Sequence, residues 1–254
     1  MASKLDCSTL VPASLFMEAC VEADEGNASK LQDMIDACDF AQARVESASL
    51  LHAAVSLASS AALRLVLQEA GKREGGLTSL GLNALDSQGY APLHAAAAVG
   101  AAECIELLVQ AGADPLCTTA DAEFKLPSAR TSIYSEGGRT ALHVAVENCH
   151  ADALQALIAA GASTELHDSF GMTARALFLE SLAGAEIGPS RRLMAELLDV
   201  NSEQLSAATA HSLADSLARR KRRIEVVKQR LRCGMQATAA ASSYSIQLPV
   251  DWRA

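Results

Sequence analysis

The 254 residues are 50% hydrophobic, enough for a sizeable core, yet only 4% are aromatic, which argues against a large ring-lined substrate cavity. The net charge of −9 favours solubility and supplies no general attraction to nucleic acid. Seven cysteines, odd in number and without a C-x-x-C pair, fit neither a closely spaced structural zinc site nor a disulfide scaffold; they read as free thiols in a reducing compartment.

At the N-terminus Lys4 and Asp6 occur without a long apolar stretch, so no secretory leader is expected. The first element runs from Leu15-Phe16-Met17-Glu18-Ala19-Cys20 through Gly26-Asn27 to Leu31-Gln32-Asp33-Met34-Ile35, with Asp39 to Glu46 as a connecting turn. A second unit, Ser47 to Gly71, contains Leu51-His52-Ala53-Ala54 and ends in Glu69-Ala70-Gly71. Its apolar stretch from Ala53 to Leu67 is broken by serines and Arg64, and no uncharged run reaches the ~20 residues of a membrane span. Lys72 to Leu80 reads as an insertion, with Gly75-Gly76 marking irregular backbone.

Asp86 to Asp114 is the clearest unit. A polar turn ends in Gly89, then come Pro92-Leu93-His94-Ala95-Ala96, a break at Gly100, the apolar run Cys104 to Val109, and the stop Gly112-Ala113-Asp114. This reads as turn, short helix, tight loop, second helix and glycine stop. Gly138-Arg139-Thr140-Ala141-Leu142-His143-Val144-Ala145 repeats the opening, and Leu157 to Ala162 repeats the close. Gly171-Met172-Thr173-Ala174 starts a further copy 33 residues after Gly138.

The recurring pattern resembles the ankyrin repeat, whose period is about 33 residues and whose signature is T-P-L-H-x-A, here with Ala91 at the first threonine. The resemblance spans residues 9–200 as about five units and implies an all-α solenoid of stacked helix-turn-helix units with short β-turn fingers. Gly89 and Gly138 lie 49 residues apart, so Ala122 to Gly137 is an insertion of about 16 residues on a finger, expected to be loop. Gly184 to Pro189 interrupts the fifth unit.

Beyond Val200 the signature stops. Residues 201–233 are expected to be a helical extension with apolar positions at Leu205, Leu213, Leu217, Ile224, Val227 and Leu231. Arg219 to Arg232 holds eight basic residues and one acid (+7), leaving 13 basic and 29 acidic residues (−16) elsewhere. The run Arg219, Arg220, Lys221, Arg222, Arg223 reads as a nuclear import signal, as a basic amphipathic helix for an acidic protein or anionic surface, or as a solvated face of a capping helix. Residues 234–254 form a tail, flexible or docked, with the only tryptophan, Trp252.

No metal-protease, P-loop, nucleophile-elbow or dinucleotide motif occurs, so no catalytic residue, metal ligand or cofactor is expected. His52, His94 and His143 recur in different units; the resemblance implies that each orders its turn through backbone hydrogen bonds. Cys149 stands where the family has a loop glycine. The same resemblance places Tyr90, Arg139 and Met172 at one variable finger position, Ser87, Glu136 and Ser169 at a second, and Gln88, Gly137 and Phe170 at a third. Ala98-Val99 and Glu147-Asn148 fall at the variable end of the first helix. These positions face the concave groove with which such arrays bind protein partners, and interfaces favour Tyr, Trp and Arg anchors. The expectation is a non-catalytic adaptor, scaffold or regulatory subunit, cytoplasmic or nuclear, with nucleic-acid or anionic-surface binding through 219–232 as the alternative.

Overall fold

The computed structural model describes residues 10–11, 13–37, 44–45, 48–72, 81–120, 122–125, 132–135, 137–183, 186–210, 217–219, 221–222 and 225. Helices dominate: α1 (Ala13–Asp24), α2 (Ser29–Ala37), α3 (Leu50–Ser56), α4 (Ser60–Lys72), α5 (Pro92–Val99), α6 (Ala102–Gln110), α7 (Ala141–Glu147), α8 (Ala151–Ala159), α9 (Ala174–Ser181), α10 (Pro189–Leu197) and α11 (Ser202–Thr209). Two rows form. The shorter helices α3, α5, α7, α9 and α11 stack on one another, α4, α6, α8 and α10 stack behind them, and α1 and α2 close the N-terminal end against α4.

Sequence dictates the two rows. Each outer helix carries one apolar stripe, such as Cys104, Ile105 and Leu108 on α6 and Ala153, Leu154 and Leu157 on α8, all fully buried. The inner helices are covered on more sides; in α7 every residue from Ala141 to Val146 is buried. Leu51, Leu93 and Leu142 recur in the inner row at no exposure, and burying each such side chain contributes about 1.5–3 kcal/mol. Ala54, Ala96 and Ala145 beside them let the helices approach closely.

Side-chain caps fix where helices start. Ser59 Oγ accepts from Ala62 N at 3.1 Å, Thr173 Oγ1 from Ala176 N at 3.2 Å and Asn201 Oδ1 from Gln204 N at 2.8 Å. Two outer helices, α6 and α8, end by a left-handed glycine. After α6, Gly112 (φ +100°) lets Ala113 N return to Leu108 O at 2.9 Å, and after α8 Gly161 (φ +85°) lets Ala162 N reach Leu157 O at 3.0 Å.

Two expectations are corrected. The insertion expected as loop contains a hairpin, β4 (Ala122–Lys125) antiparallel to β5 (Ser132–Ser135), with Phe124 opposite Ile133 and Glu123 opposite Tyr134. The turn before α3 is likewise pleated: β2 (Arg44–Val45) pairs with β3 (Ala48–Ser49) and, in parallel, with β1 (Leu10–Val11). The helical extension expected after residue 200 begins with α11. Helix α11 stacks on α9 in the same row, and Asn201 and Gln204 stand at its start as Thr140 and His143 stand at the start of α7.

In the second, third and fourth units the loop between inner and outer helix carries one left-handed residue: Ala58 (φ +54°), Gly100 (φ +81°) and Cys149 (φ +59°). At Gly100 the next unit leans in. His150 Nε2 meets Ala98 O at 3.1 Å, and a Cβ on Gly100 would lie 2.6 Å from His150 Nδ1. Gly100→Ala therefore combines left-handed strain with a clash against a ring held in place, whereas Gly112→Ala meets no atom within 4 Å. Chemical denaturation should show a loss of about 1–2 kcal/mol for Gly112→Ala and a clearly larger one for Gly100→Ala; equal losses would mean that the His150 ring yields at no cost.

Candidate functional site

The fingers are held by a relay of imidazoles. His52 Nε2 donates to Tyr90 O (2.8 Å), His94 Nε2 to Arg139 O (2.9 Å) and His143 Nε2 to Met172 O (3.0 Å), so each unit's histidine grips the next unit's finger. The other ring nitrogen faces the start of its own helix. Nδ1 of His94 accepts from Ala91 N, and Nδ1 of His143 from Thr140 N, both at 3.2 Å. That acceptor role leaves the single ring proton on Nε2.

The same three finger residues are also held through their N–H groups. Tyr90 N donates to Asp86 Oδ1 (2.9 Å), Met172 N to Asp168 Oδ1 (2.8 Å) and Arg139 N to Thr119 Oγ1 (3.1 Å). Asp86 Oδ1 also takes Gln88 N, and Asp168 Oδ1 takes Phe170 N. Sequence reasoning missed these anchors, although an Asp two and four residues ahead of the finger position is the visible signal.

Side-chain placement divides the expected site residues. Ser87, Gln88, Glu147 and Asn148 are exposed, and Val99 is 43% exposed at the end of α5. Tyr90, Phe170 and Met172 are half-buried. Glu136 lies outside the described residues. Arg139, expected on the open face, is instead buried at 6% exposure, because its guanidinium pairs with Glu147 of the same unit's helix. Tyr90 stands beside that pair, its ring edge-on to His94 with centroids 6.2 Å apart. Burial holds the phenol above its usual range, and the Arg139 charge opposes the shift.

Further along the inner row, a groove of about 490 Å³ opens between α9 and α11. Met172, Ala176, Leu179 and Ala183 form one wall and Ala207 and Ala208 the other. Its polar groups are Glu180, Gln204 and Arg219. Ala176 occupies the ladder position, where His143 stands in the preceding unit; there Arg175 reaches Gln204 Oε1 at 2.7 Å. Arg219 Nε approaches Glu180 Oε1 at 3.7 Å, which ties the start of the basic run to the array. Lys221 and Arg222 are exposed, and Arg222 Nε donates to Ala218 O at 3.3 Å within a helical stretch. Arg220 and Arg223 lie outside the described residues.

Cys20, Cys104, Cys117 and Cys149 are free. Burial pushes the Cys20 thiol up to about 12, and those of Cys104 and Cys117 up to about 11, so all three are inert thiols at neutral pH. Cys149 Sγ lies 4.0 Å from Arg191 Nη2, while His150 packs on Gly100, so the adjacent pair serves the loop. Among the described residues no group of three or more His, Cys, Asp or Glu is placed to hold a metal ion, and no helix is long and apolar enough to cross a membrane.

Paired helices stacked in two rows and joined by fingers define a helical repeat solenoid. Family models for ankyrin repeats match residues 16–119 (three copies) and 93–158 (many copies), together more than half of the sequence. The chain belongs to the ankyrin-repeat family, whose repeats are in general protein–protein interaction modules. No characterised protein matches the chain as a relative.

The neutral ladder makes stability pH-dependent. Burial lowers the pKa of His94 to about 4 against 6.5 for the free side chain, and burial lowers that of His143 as well. Between those values the unfolded chain binds the extra proton, so the stabilisation is complete above pH 6.5 and is lost as pH falls towards 4. For His94 the loss is on the order of 3 kcal/mol. His94→Gln keeps an acceptor and a donor without a titrating group, as Gln204 does at the start of α11. Denaturant midpoints at pH 7 and pH 5 should fall less in His94→Gln than in the parent; equal falls would place the acid-sensitive group elsewhere.

Proposed function

We propose that this protein is a non-catalytic adaptor or scaffold that binds a protein partner across its fingers and inner-helix ends. One observation carries the reading: Ser87, Gln88 and Tyr90 lie on the finger before α5 and Phe170 and Met172 on the finger before α9, both pinned by the imidazole relay, with Val99, Glu147 and Asn148 at the ends of the inner helices. A pre-organised backbone presenting half-buried Tyr90, Phe170 and Met172 beside exposed Val99 loses little entropy on binding. Arg139 contributes as an internal brace on Glu147.

The basic segment supports a second activity on one observation, the exposure of Lys221 and Arg222 beside the tethered Arg219. It reads as an import signal that gives the adaptor nuclear access, or as a contact for nucleic acid or another anionic surface through residues 219–232. Phosphate contacts weaken steeply with salt.

Replacing Tyr90, Phe170 and Met172 together by Ala should remove the partners that the parent protein captures from native extract, because truncating a central anchor costs ~2 kcal/mol or more. A folded triple variant that retains every partner sinks the concave-face reading. Replacing Lys221 and Arg222 by Gln should leave that capture intact but reduce nuclear accumulation of a tagged protein. A parent protein excluded from nuclei removes the import reading, and a salt-insensitive partner set removes the anionic-surface one.

A further inference from the structure

We propose that the contact between Arg219 and Glu180 is an ionic latch, which holds the start of the basic run against the array and masks it from an acidic protein partner. The masking rests on the reading of residues 219–232 as a segment for an anionic partner; the latch itself does not.

The latch supplies what the fifth unit's own finger lacks. Glu147 and Glu180 are equivalent residues, each seven positions after the cap of its inner helix, Thr140 and Thr173. In the fourth unit the counter-charge comes from the finger, where Arg139 stands just before α7 and pairs with Glu147. The residue at that finger position in the fifth unit is Met172, which carries no charge. Glu180 nevertheless has an arginine beside it, from outside the repeats: Arg219 Nε lies 3.7 Å from Glu180 Oε1. A carboxylate side chain only 14% exposed is stabilised by a nearby cation.

The two pairs are held with different firmness. The Arg139 side chain is 7% exposed and that of Arg219 is 39% exposed. Arg139 belongs to a finger whose backbone is fixed by His94 and Thr119. Arg219 is carried by a helical stretch with no apolar footing among its described residues. Leu217, expected as an apolar position, is 57% exposed, and Ala218, Lys221, Arg222 and Glu225 are exposed as well. Arg222 turns back onto its own stretch at Ala218 O. Of these described residues only Arg219 is half-buried, at the edge of the groove between α9 and α11. A stretch anchored by charge rather than by apolar surface detaches readily, and salt weakens its hold.

Charge sets the class of competitor. Arg219 to Arg232 carries +7 and the rest of the chain −16, so the array attracts the basic run. The group that Arg219 faces in the free protein is a carboxylate. A partner surface rich in Asp and Glu offers the same group to the same guanidinium, and it also meets the exposed Lys221 and Arg222. Such a partner must displace Glu180 to take Arg219. Closure of the latch and binding of the partner therefore oppose each other, and opening the latch raises the affinity.

The full-length protein tests both parts. Glu180→Gln removes the charge and keeps the shape, whereas Glu203→Gln makes the same change of net charge at an exposed carboxylate of α11. At low salt, hydrogen exchange of the stretch 217–222 should speed up several-fold in Glu180→Gln and equally in Arg219→Gln, but keep the parent rate in Glu203→Gln. High salt should bring the parent to the Glu180→Gln rate. A fluorescein-labelled polyglutamate peptide should bind Glu180→Gln several-fold more tightly than the parent, and adding Glu180→Gln to Arg219→Gln should produce no further gain. Circular dichroism melts check that the variants fold. Exchange left unchanged by both Glu180→Gln and Arg219→Gln overturns the latch. Measurable but equal binding of the probe by parent and Glu180→Gln overturns the masking, and so does an equal gain in Glu203→Gln, which would reduce the effect to net charge. Faster exchange with no probe binding by any variant keeps the latch and sinks the anionic-partner reading of the basic segment. Loss of partner capture by the finger variants bears only on the adaptor reading.

Discussion

The structure depends on a neutral imidazole used twice. Each ladder histidine accepts at the start of its own inner helix and donates to a finger carbonyl of the following unit. A backbone carbonyl in a packed finger needs a partner, and a backbone partner would require a strand where the chain instead turns. The ring supplies the missing donor at the correct reach. It also couples neighbouring units more specifically than apolar contact does, because a hydrogen bond is intolerant of slip along the stack. The finger residues then gain fixed positions through both N–H and C=O groups, and a surface pinned in this way retains its shape in the absence of a partner.

Around the ladder the packing is built for closeness. Ala54, Ala96 and Ala145 recur on the inner helices, and the fifth unit departs from them with Phe178, fully buried, at the equivalent place. That unit has therefore exchanged a polar ring at position 176 for an apolar ring two residues later. The aromatic volume is kept inside the core while the polar link to the next unit is given up. The departure is local: α9 still stacks on α7, and its start is still capped by Thr173.

The repeats were legible because they are a one-dimensional code. Glycine stops, the Leu-His pair and the apolar stripe recur at fixed intervals, and those features alone define the two rows. What was illegible depends on chemistry shared between different residue types. Asn201 and Gln204 perform the work of Thr140 and His143 with other functional groups, so the inner row extends one helix past the last recognisable signature. The burial of Arg139 could not be read from its variable finger position, because it requires Glu147 two helical turns away on the same unit. The paired strands of the insertion are only four residues each, too few for alternation to stand out from loop. Asp86 and Asp168 were visible, but their role appears only when the finger they hold is seen.

A linear array with nearest-neighbour couplings behaves as a chain whose links need not be equal. Imidazole links join the second unit to the third, the third to the fourth and the fourth to the fifth. The link after the fifth is a side-chain contact between Arg175 and Gln204, half-exposed to water. In such a chain, free energy of opening is lowest at the end beyond the weakest link. Amide protons of α11 are therefore expected to exchange with solvent through a local opening that leaves α5 to α8 closed, so that the array loosens from its end beyond α9 while its middle stays intact.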